Sequence, residues 1–316
     1  MVSFLSICKH NQFYRALFAM DKVIPQFLFE QELPSASLYV VASPIGNLGD
    51  ITLRALHVLN QVDGIACEDT RHSAQLLKHY DIRKPLMAIH EHNEMEAANI
   101  LIDHLRNGER WAYLSDAGTP GISDPGARLV MQVGGQGFRT IPIPGASALT
   151  GALSVCGSML VASSGQFQFL GFLPNHNKEF DQTLERMIQS ALPSVFYESP
   201  HRLSKTFLKL SKAVPEERGI FIARELSKKF ESICHLKPSE LLPWLEHPNN
   251  QKGEFVIVLS GSNQKGAGPE HADSTKLAGL LKDHMGSRDI AAILSSLFGL
   301  KKNEAYEIAI SSKEKG

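Results

Sequence analysis

Apolar positions along the chain fall into two recurring patterns. Short runs of apolar, β-branched or aromatic residues alternate with longer stretches whose apolar positions return every three to four residues. The first run, Leu38–Ala42, ends at Ser43-Pro44; others are Gly64–Cys67, Leu86–Ile89, Trp111–Leu114 and Thr140–Ile143. Between them, Ile51–Asn60 carries Leu53, Leu56 and Leu59 at helical spacing, with Thr52 as an early cap. Glu94–Asn107 places Ala97, Ala98, Leu101, Ile102 and Leu105 on one face. Strand alternating with helix predicts an α/β unit, its parallel sheet covered on both sides.

A second set of runs follows a break near Gly151–Gly165: Phe167–Leu173, Ser194–Tyr197, Gly219–Ala223 and Glu254–Leu259, with helices expected at Lys178–Ser190 and Pro200–Val214. This unit ends near Ser260, before the polar, glycine-bearing stretch Gly261–Ser274. The tail from Thr275 reads as two or three short helices, one with Ile290, Ile293, Leu294 and Leu297 and ended by Gly299. The expected organisation is an N-terminal extension over 1–37 with little strand pattern, domains over 38–150 and 151–262, and a linker with a small helical tail over 263–316.

Composition narrows the class. Apolar residues are 43% and charged residues 21% of 316, with a net charge of −1. That is ordinary for a folded domain, and it excludes a disordered chain and a generally basic nucleic-acid wrapper. No run approaches the roughly 18 apolar residues of a membrane helix, so no membrane association is expected. Residues 37–150 carry 9 basic and 12 acidic side chains and residues 151–262 carry 12 and 11, which points any polyanion contact to the second half. Cys8, Cys67, Cys156 and Cys234 form no CxxC pair, and no metal-ligand spacing links His90 and His92 to other ligands. A reducing, cytoplasmic setting and no metal are expected. The apolar piece Val2–Cys8 is broken by Lys9, His10 and Arg15, so no signal peptide is expected.

The chemistry sits after strand ends, where parallel sheets bind ligands. Three connections there are rich in Gly and Pro: Ser43–Asp50, Ser115–Gly126 and Pro142–Ala148. Glycine lets backbone groups reach a ligand directly. No P-loop, GxGxxG pattern or loop-tip lysine is present; Asp50, Asp116 and Asp124 are acidic instead. Carboxylates and carbonyls suit a ligand with hydroxyls and positive charge, and S-adenosylmethionine fits that chemistry.

The strings ASPIGNLGDIT (Ala42–Thr52), CEDTRHS (Cys67–Ser73), HEHNE (His90–Glu94), LSDAGTPGISDPG (Leu114–Gly126), PIPGASAL (Pro142–Leu149), FLGFLP (Phe169–Pro174), YESPHR (Tyr197–Arg202) and ARELSKKFE (Ala223–Glu231) resemble the tetrapyrrole-methylase superfamily, the class III S-adenosylmethionine methyltransferases. Within it they are similar to the branch that methylates ribosomal RNA. The resemblance spans 38–260 and leaves the segment before Leu38 unaccounted for. It implies an α/β fold of two domains, the N-terminal sheet mostly parallel and the C-terminal one mixed, with a cofactor cleft between them. It implies a homodimer, S-adenosylmethionine as cofactor, and 2′-O-methylation of a cytidine in the decoding region of 16S rRNA, as free RNA or in the 30S subunit. By motif position, the implied cofactor contacts are Ile45, Asp116, Gly118, Thr119, Ser147 and Ala148, with Tyr197, Ala223 and Glu254 from the second domain.

A ribose 2′-hydroxyl is a poor nucleophile and needs its proton accepted or its oxyanion stabilised. Candidate groups are Glu68, Asp69 and Arg71 after the second strand, Glu198, His201 and Arg202 in YESPHR, and Arg224, Lys228 and Glu231 in ARELSKKFE. Asp69, Glu198 or His201 would accept the proton; Arg71, Arg202 or Lys228 would hold flanking phosphates. An ion-pair network such as Arg224 to Glu198 is the structural alternative. His201, Lys205, Lys209 and Lys212 share a helix face in a stretch without acidic residues, backed by Leu203, Phe207, Leu208 and Leu210. That face would track RNA phosphates or simply be solvated. Two other readings stay open: C-methylation of a tetrapyrrole, and a non-catalytic RNA-binding protein on a methylase scaffold.

Overall fold

The computed structural model describes residues 32–90, 93–123, 126–262 and 269–314. The N-terminal extension up to residue 31, His92 of the HEHNE string, Asp124 and linker residues 263–268 lie outside the described residues. The chain divides into two compact units, one running to Gly151 and including Leu226–Phe230, the other Ala152–Glu225 with Glu231 onward.

The first unit holds β1 (Ser37–Val41), α1 (Leu53–Gln61), β2 (Gly64–Cys67), α2 (Thr70–His79), β3 (Leu86–Ala88), α3 (Glu94–Arg106), β4 (Arg110–Leu114), α4 (Ala127–Gly135), β5 (Arg139–Ile143) and the start of α5 (Ala148–Val155). All strand pairs are parallel, in the order β3-β2-β4-β1-β5. Side chains alternate across the sheet. Tyr39, Val41, Ala112 and Leu114 join Leu56, Leu59 and Leu77 of α1 and α2 in one core, while Leu38, Trp111 and Tyr113 join Leu101, Leu105, Leu129 and Val133 of α3 and α4 on the opposite face. Both faces are covered, which is why these strands read as unbroken apolar runs. Thr52 caps α1 as expected, its hydroxyl accepting from the Ala55 N–H at 3.0 Å.

The second unit adds α6 (Ser158–Ala162), β6 (Gln168–Phe172), α7 (Asn177–Gln189), β7 (Ser194–Glu198), α8 (Pro200–Ala213), β8 (Ile220–Arg224), β9 (Ser232–Leu236), α9 (Leu241–Leu245), β10 (Phe255–Leu259), α10 (Pro269–Leu281), α11 (Ser287–Phe298) and α12 (Lys302–Glu314). Its sheet has the order β6-β7-β10-β8-β9; only β6–β7 is parallel, so the sheet is mixed. Phe196, Ile222, Phe255 and Ile257 pack with Phe180, Leu184 and Met187 of α7, Leu203, Phe207 and Leu210 of α8, and Leu241 of α9. The α10–α12 tail has a small core of its own around Ile290, Leu294 and Ile308.

The expected two α/β sheets and helical tail are present. The structure differs in detail where the apolar signal is thin. The run Gly151–Gly165, read as a break, contains α5 and α6, because a helix tolerates Gly151 at a modest cost. The edge strand β9 has few buried positions and so gave no apolar run. Leu208 and Leu297, assigned to apolar faces, are solvent-exposed.

Gly64 marks a close approach: a Cβ there would lie 2.5 Å from the Trp111 ring, which is buried. Gly64→Ala is expected to destabilise the chain by about 1–3 kcal/mol through overpacking. Urea unfolding measures this; a stability within about 0.5 kcal/mol of wild type would show that the ring can move aside.

Candidate functional site

The strand register brings the ends of β4, β1 and β5 level, since Val41 lies opposite both Leu114 and Ile143. The connections that follow are tied together by backbone. The Ser43 N–H donates to the Gly118 carbonyl at 2.9 Å and the Gly118 N–H returns to Ser43 at 3.1 Å. The Ser43 hydroxyl donates to the Ser115 carbonyl and the Ser115 hydroxyl to that of Gly118, each at 3.1 Å. Thr119 Oγ1 donates to the Ala146 carbonyl at 3.2 Å, joining the third connection. Gly118 has φ +80°, and a Cβ on it would meet Ile45 Cγ2 at 3.3 Å. Tyr80 steadies the first connection from below, its hydroxyl donating to the Leu48 carbonyl at 2.6 Å.

Thus Ile45, Asp116, Gly118 and Thr119 are gathered at one sheet edge. Ser147 is at the base of α5, its carbonyl accepting from the Gly151 N–H at 2.9 Å, and Ala148 is the first residue of that helix. Asp116 Oδ1 is buried and has no hydrogen-bond partner among the described residues. A ligand donor, an amine or a hydroxyl, fits this orphan oxygen.

The neighbouring β2 end is acidic and sharply differentiated. Asp69 caps α2, accepting from the Arg71 N–H at 2.8 Å and from Arg71 Nε and Nη2 at 3.2 and 2.9 Å. The Arg71 side chain and backbone hold its carboxyl down at about 2. Glu68, one residue earlier, is pushed up by burial, with Asp116 and Asp69 adding to the rise and His90 opposing it. Adjacent carboxylates are therefore shifted in opposite directions: Asp69 is held as an anion at the start of its helix, and burial works against ionisation of Glu68.

In the second unit, Glu198 ends β7 and is 1% exposed. It accepts from the Ser199 N–H at 2.9 Å and from Thr206 Oγ1 at 2.6 Å, and Arg202 Nε lies 3.5 Å away. Arg202 Nη2 also donates to the Leu173 and Pro174 carbonyls at 2.6 and 3.2 Å. Glu198 and Arg202 thereby lock the start of α8 to the end of β6. Arg224 donates to the Lys252 carbonyl at 2.7 Å. His201 is exposed in the first turn of α8. Tyr197 stacks edge-on against Phe169 and Phe172, with centroids 5.1 and 5.6 Å away. Ala223 is buried in β8, and the Glu254 N–H donates to Glu225 at 3.0 Å. Along the basic face of α8, Lys205 and Lys212 are exposed, but Lys209 is neutralised by Asp181 at 2.5 Å from the preceding helix. Lys228 lies with the first unit, its stem against Gly46.

Among the described residues no group of three metal-ligating side chains forms, and no helix is long and apolar enough to cross a membrane.

The matched sequence family agrees with this architecture. Residues 37–242 match the Tetrapyrrole (Corrin/Porphyrin) Methylases. The chain belongs to that family and is a methyltransferase. It is 43% identical to the ribosomal RNA small subunit methyltransferase I of Haemophilus influenzae over 280 residues, covering 88% of this chain and 98% of that one. It is 40% identical to the protein of the same name from Pseudomonas aeruginosa, covering 90% of this chain and 100% of that one. Among solved structures, diphthine synthase superposes with a TM-score of 0.55 at 13% identity, over 71% of this chain and 90% of that one. The methyltransferase CobJ gives 0.54 at 16%, over 71% and 94%. These two likenesses concern the fold.

A carboxylate held low in the folded chain contributes stability that is present above its unfolded pKa, near 4, and is lost as pH falls through the folded value. For Asp69 that window runs from about 4 down to about 2. Asp69→Asn should therefore lower the thermal midpoint at pH 6, and the gap to wild type should close as pH falls through the window. A pH-independent gap would mean that the charge of Asp69 is not what holds α2.

Proposed function

We propose that the chain transfers the methyl group of S-adenosylmethionine to the 2′-hydroxyl of a cytidine in the decoding region of 16S rRNA. The observation that carries the cofactor half is the knot of three backbone connections around the partnerless Asp116 oxygen. The RNA half is supported by the names of the similar proteins and by the exposed cations of α8.

When bound, S-adenosylmethionine supplies an electrophilic methyl on a sulfonium. Ile45, Thr119, Ser147 and Ala148 would hold it through main-chain groups, Gly118 would leave room for it at the turn, and Asp116 would accept from its amine or ribose. Tyr197, Ala223 and Glu254 are proposed as further contacts. The protein's work is then orientation of the acceptor and removal of its proton. Of the three proposed bases, Asp69 is tied to Arg71 and Glu198 is buried under Thr206 and Ser199, while His201 is exposed and makes no hydrogen bond or ion pair among the described residues. His201 is therefore the best supported of the three. Arg71 and Lys228 are proposed to hold flanking phosphates; Arg202, with Nη2 on two carbonyls and Nε facing Glu198, is proposed as a positioning group at the start of α8. A homodimer acting in the cytoplasm on free RNA or 30S subunits completes the proposal.

Titration calorimetry with S-adenosylmethionine tests the pocket. Wild type should bind; Asp116→Asn should weaken binding about ten- to a hundredfold, the range of a lost charged hydrogen bond. Gly118→Val should abolish binding, because a branched side chain is strained at this φ and meets Ile45. Absence of wild-type binding would leave only an RNA-binding scaffold. Mass mapping of 2′-O-methylated nucleosides in small-subunit RNA, with and without the protein, tests the acceptor. An unchanged map, with methyl transfer to a porphyrinogen instead, would overturn it.

A further inference from the structure

The connection between β8 and β9 does not stay with the sheet that it joins. Leu226–Phe230 packs with the first unit. The Ser227 hydroxyl donates to the Asp50 carboxylate at the end of the first glycine-bearing connection. The Lys228 stem lies across Gly46, so that a Cβ on Gly46 would collide with Lys228 Cγ. Glu225 and Ser227, neither a glycine, are held at φ +53° and +69°. Strained backbone of this kind persists only where its surroundings impose it, and it gathers at functional sites. The segment is thus a strap pinned at two points to the connection that carries Ile45.

Phe230, at the end of this strap, is 65% exposed. The Lys229 ammonium lies 5.5 Å from its ring centroid, and Lys228 is two residues away. A large aromatic ring presented to solvent beside a cation is one way in which single-stranded nucleic acid is gripped: the ring stacks a base and the lysine meets a flanking phosphate.

We propose that Phe230 is the stacking platform for an unpaired base of the RNA substrate, with Lys229 contacting the adjacent phosphate. This rests on the RNA reading above and makes it specific: the acceptor strand is recognised unpaired, next to the methyl-donor loop. The strap then couples recognition to chemistry, because the Ser227–Asp50 and Lys228–Gly46 contacts fix where a stacked base lies relative to that loop.

The probe is 30S particles prepared from cells lacking this methyltransferase. Wild type should bind them and methylate them with labelled S-adenosylmethionine. Phe230→Ala should weaken 30S binding about tenfold or more, within the range for removal of a base-stacking ring. Phe230→Trp should restore it and Phe230→Leu should not, since Leu keeps the bulk without the π-face. S-adenosylmethionine affinity should be the same in all three. Lys229→Ala should lower the slope of log affinity against log salt by about one. Wild type that neither binds nor methylates the particles would sink the RNA reading itself. Methylation by wild type, together with Phe230→Ala or Phe230→Leu binding like wild type, would overturn the stacking role and leave that reading standing. Loss of cofactor binding in Phe230→Ala would also overturn it, marking Phe230 as a structural support.

Discussion

The reciprocal pair of hydrogen bonds between Ser43 and Gly118 sets the geometry on which the candidate site depends. Two strands that run parallel through the sheet give way, beyond their ends, to a short antiparallel bridge. The turn that makes this possible needs a positive φ at Gly118; the Ser43 hydroxyl meets the Ser115 carbonyl, and the Ser115 hydroxyl adds a second donor to the Gly118 carbonyl. A buried carbonyl left unmet costs on the order of 1–3 kcal/mol, so this small network holds the turn in one conformation. Ile45, Asp116 and Ala146 converge because of it.

What converges is unequal in charge. Arg71 and the first turn of α2 stabilise Asp69 as an anion, whereas burial and two neighbouring carboxylates work against ionisation of Glu68. Asp116 adds a third carboxylate with one oxygen unsatisfied. A sheet edge of this kind attracts a cation or a hydroxyl and repels phosphate. That agrees with a sulfonium donor and separates this pocket from nucleotide folds that use a glycine-rich turn on a helix N-terminus.

Much of this was legible in the residues. Parallel strands buried on both faces show as apolar runs, and the glycine-bearing connections that meet at one sheet edge are visible directly after them. Less legible was which partner each polar side chain takes in the folded chain. CEDTRHS offers Asp69 and Arg71 as free groups on paper, yet their proximity makes them an internal cap. Glu198 and Arg202 look like catalytic side chains in YESPHR, but burial and the Leu173 and Pro174 carbonyls consume their hydrogen-bonding capacity. Asp181 cancels Lys209 from another helix, which no reading of the basic stretch alone could foresee. The strap is the reverse case: ARELSKKFE stood out as a string, but its path to Gly46 and Asp50 is a tertiary fact.

These neutralisations bear on how a chain of net charge −1 could grip a polyanion. Each lysine or arginine paired within the fold releases no counterion from RNA, and the salt-dependent affinity scales with those that do. With Lys209 and Arg202 engaged internally, the exposed cations of α8 and the strap would supply only a modest electrostatic term. Specific binding must then draw on shape and stacking, contributions that salt barely weakens. An exposed aromatic ring at the end of the strap that is pinned to Asp50 and Gly46 is the kind of group that such an arrangement would require, and it would favour a target whose bases are already unpaired over one that the protein must first open.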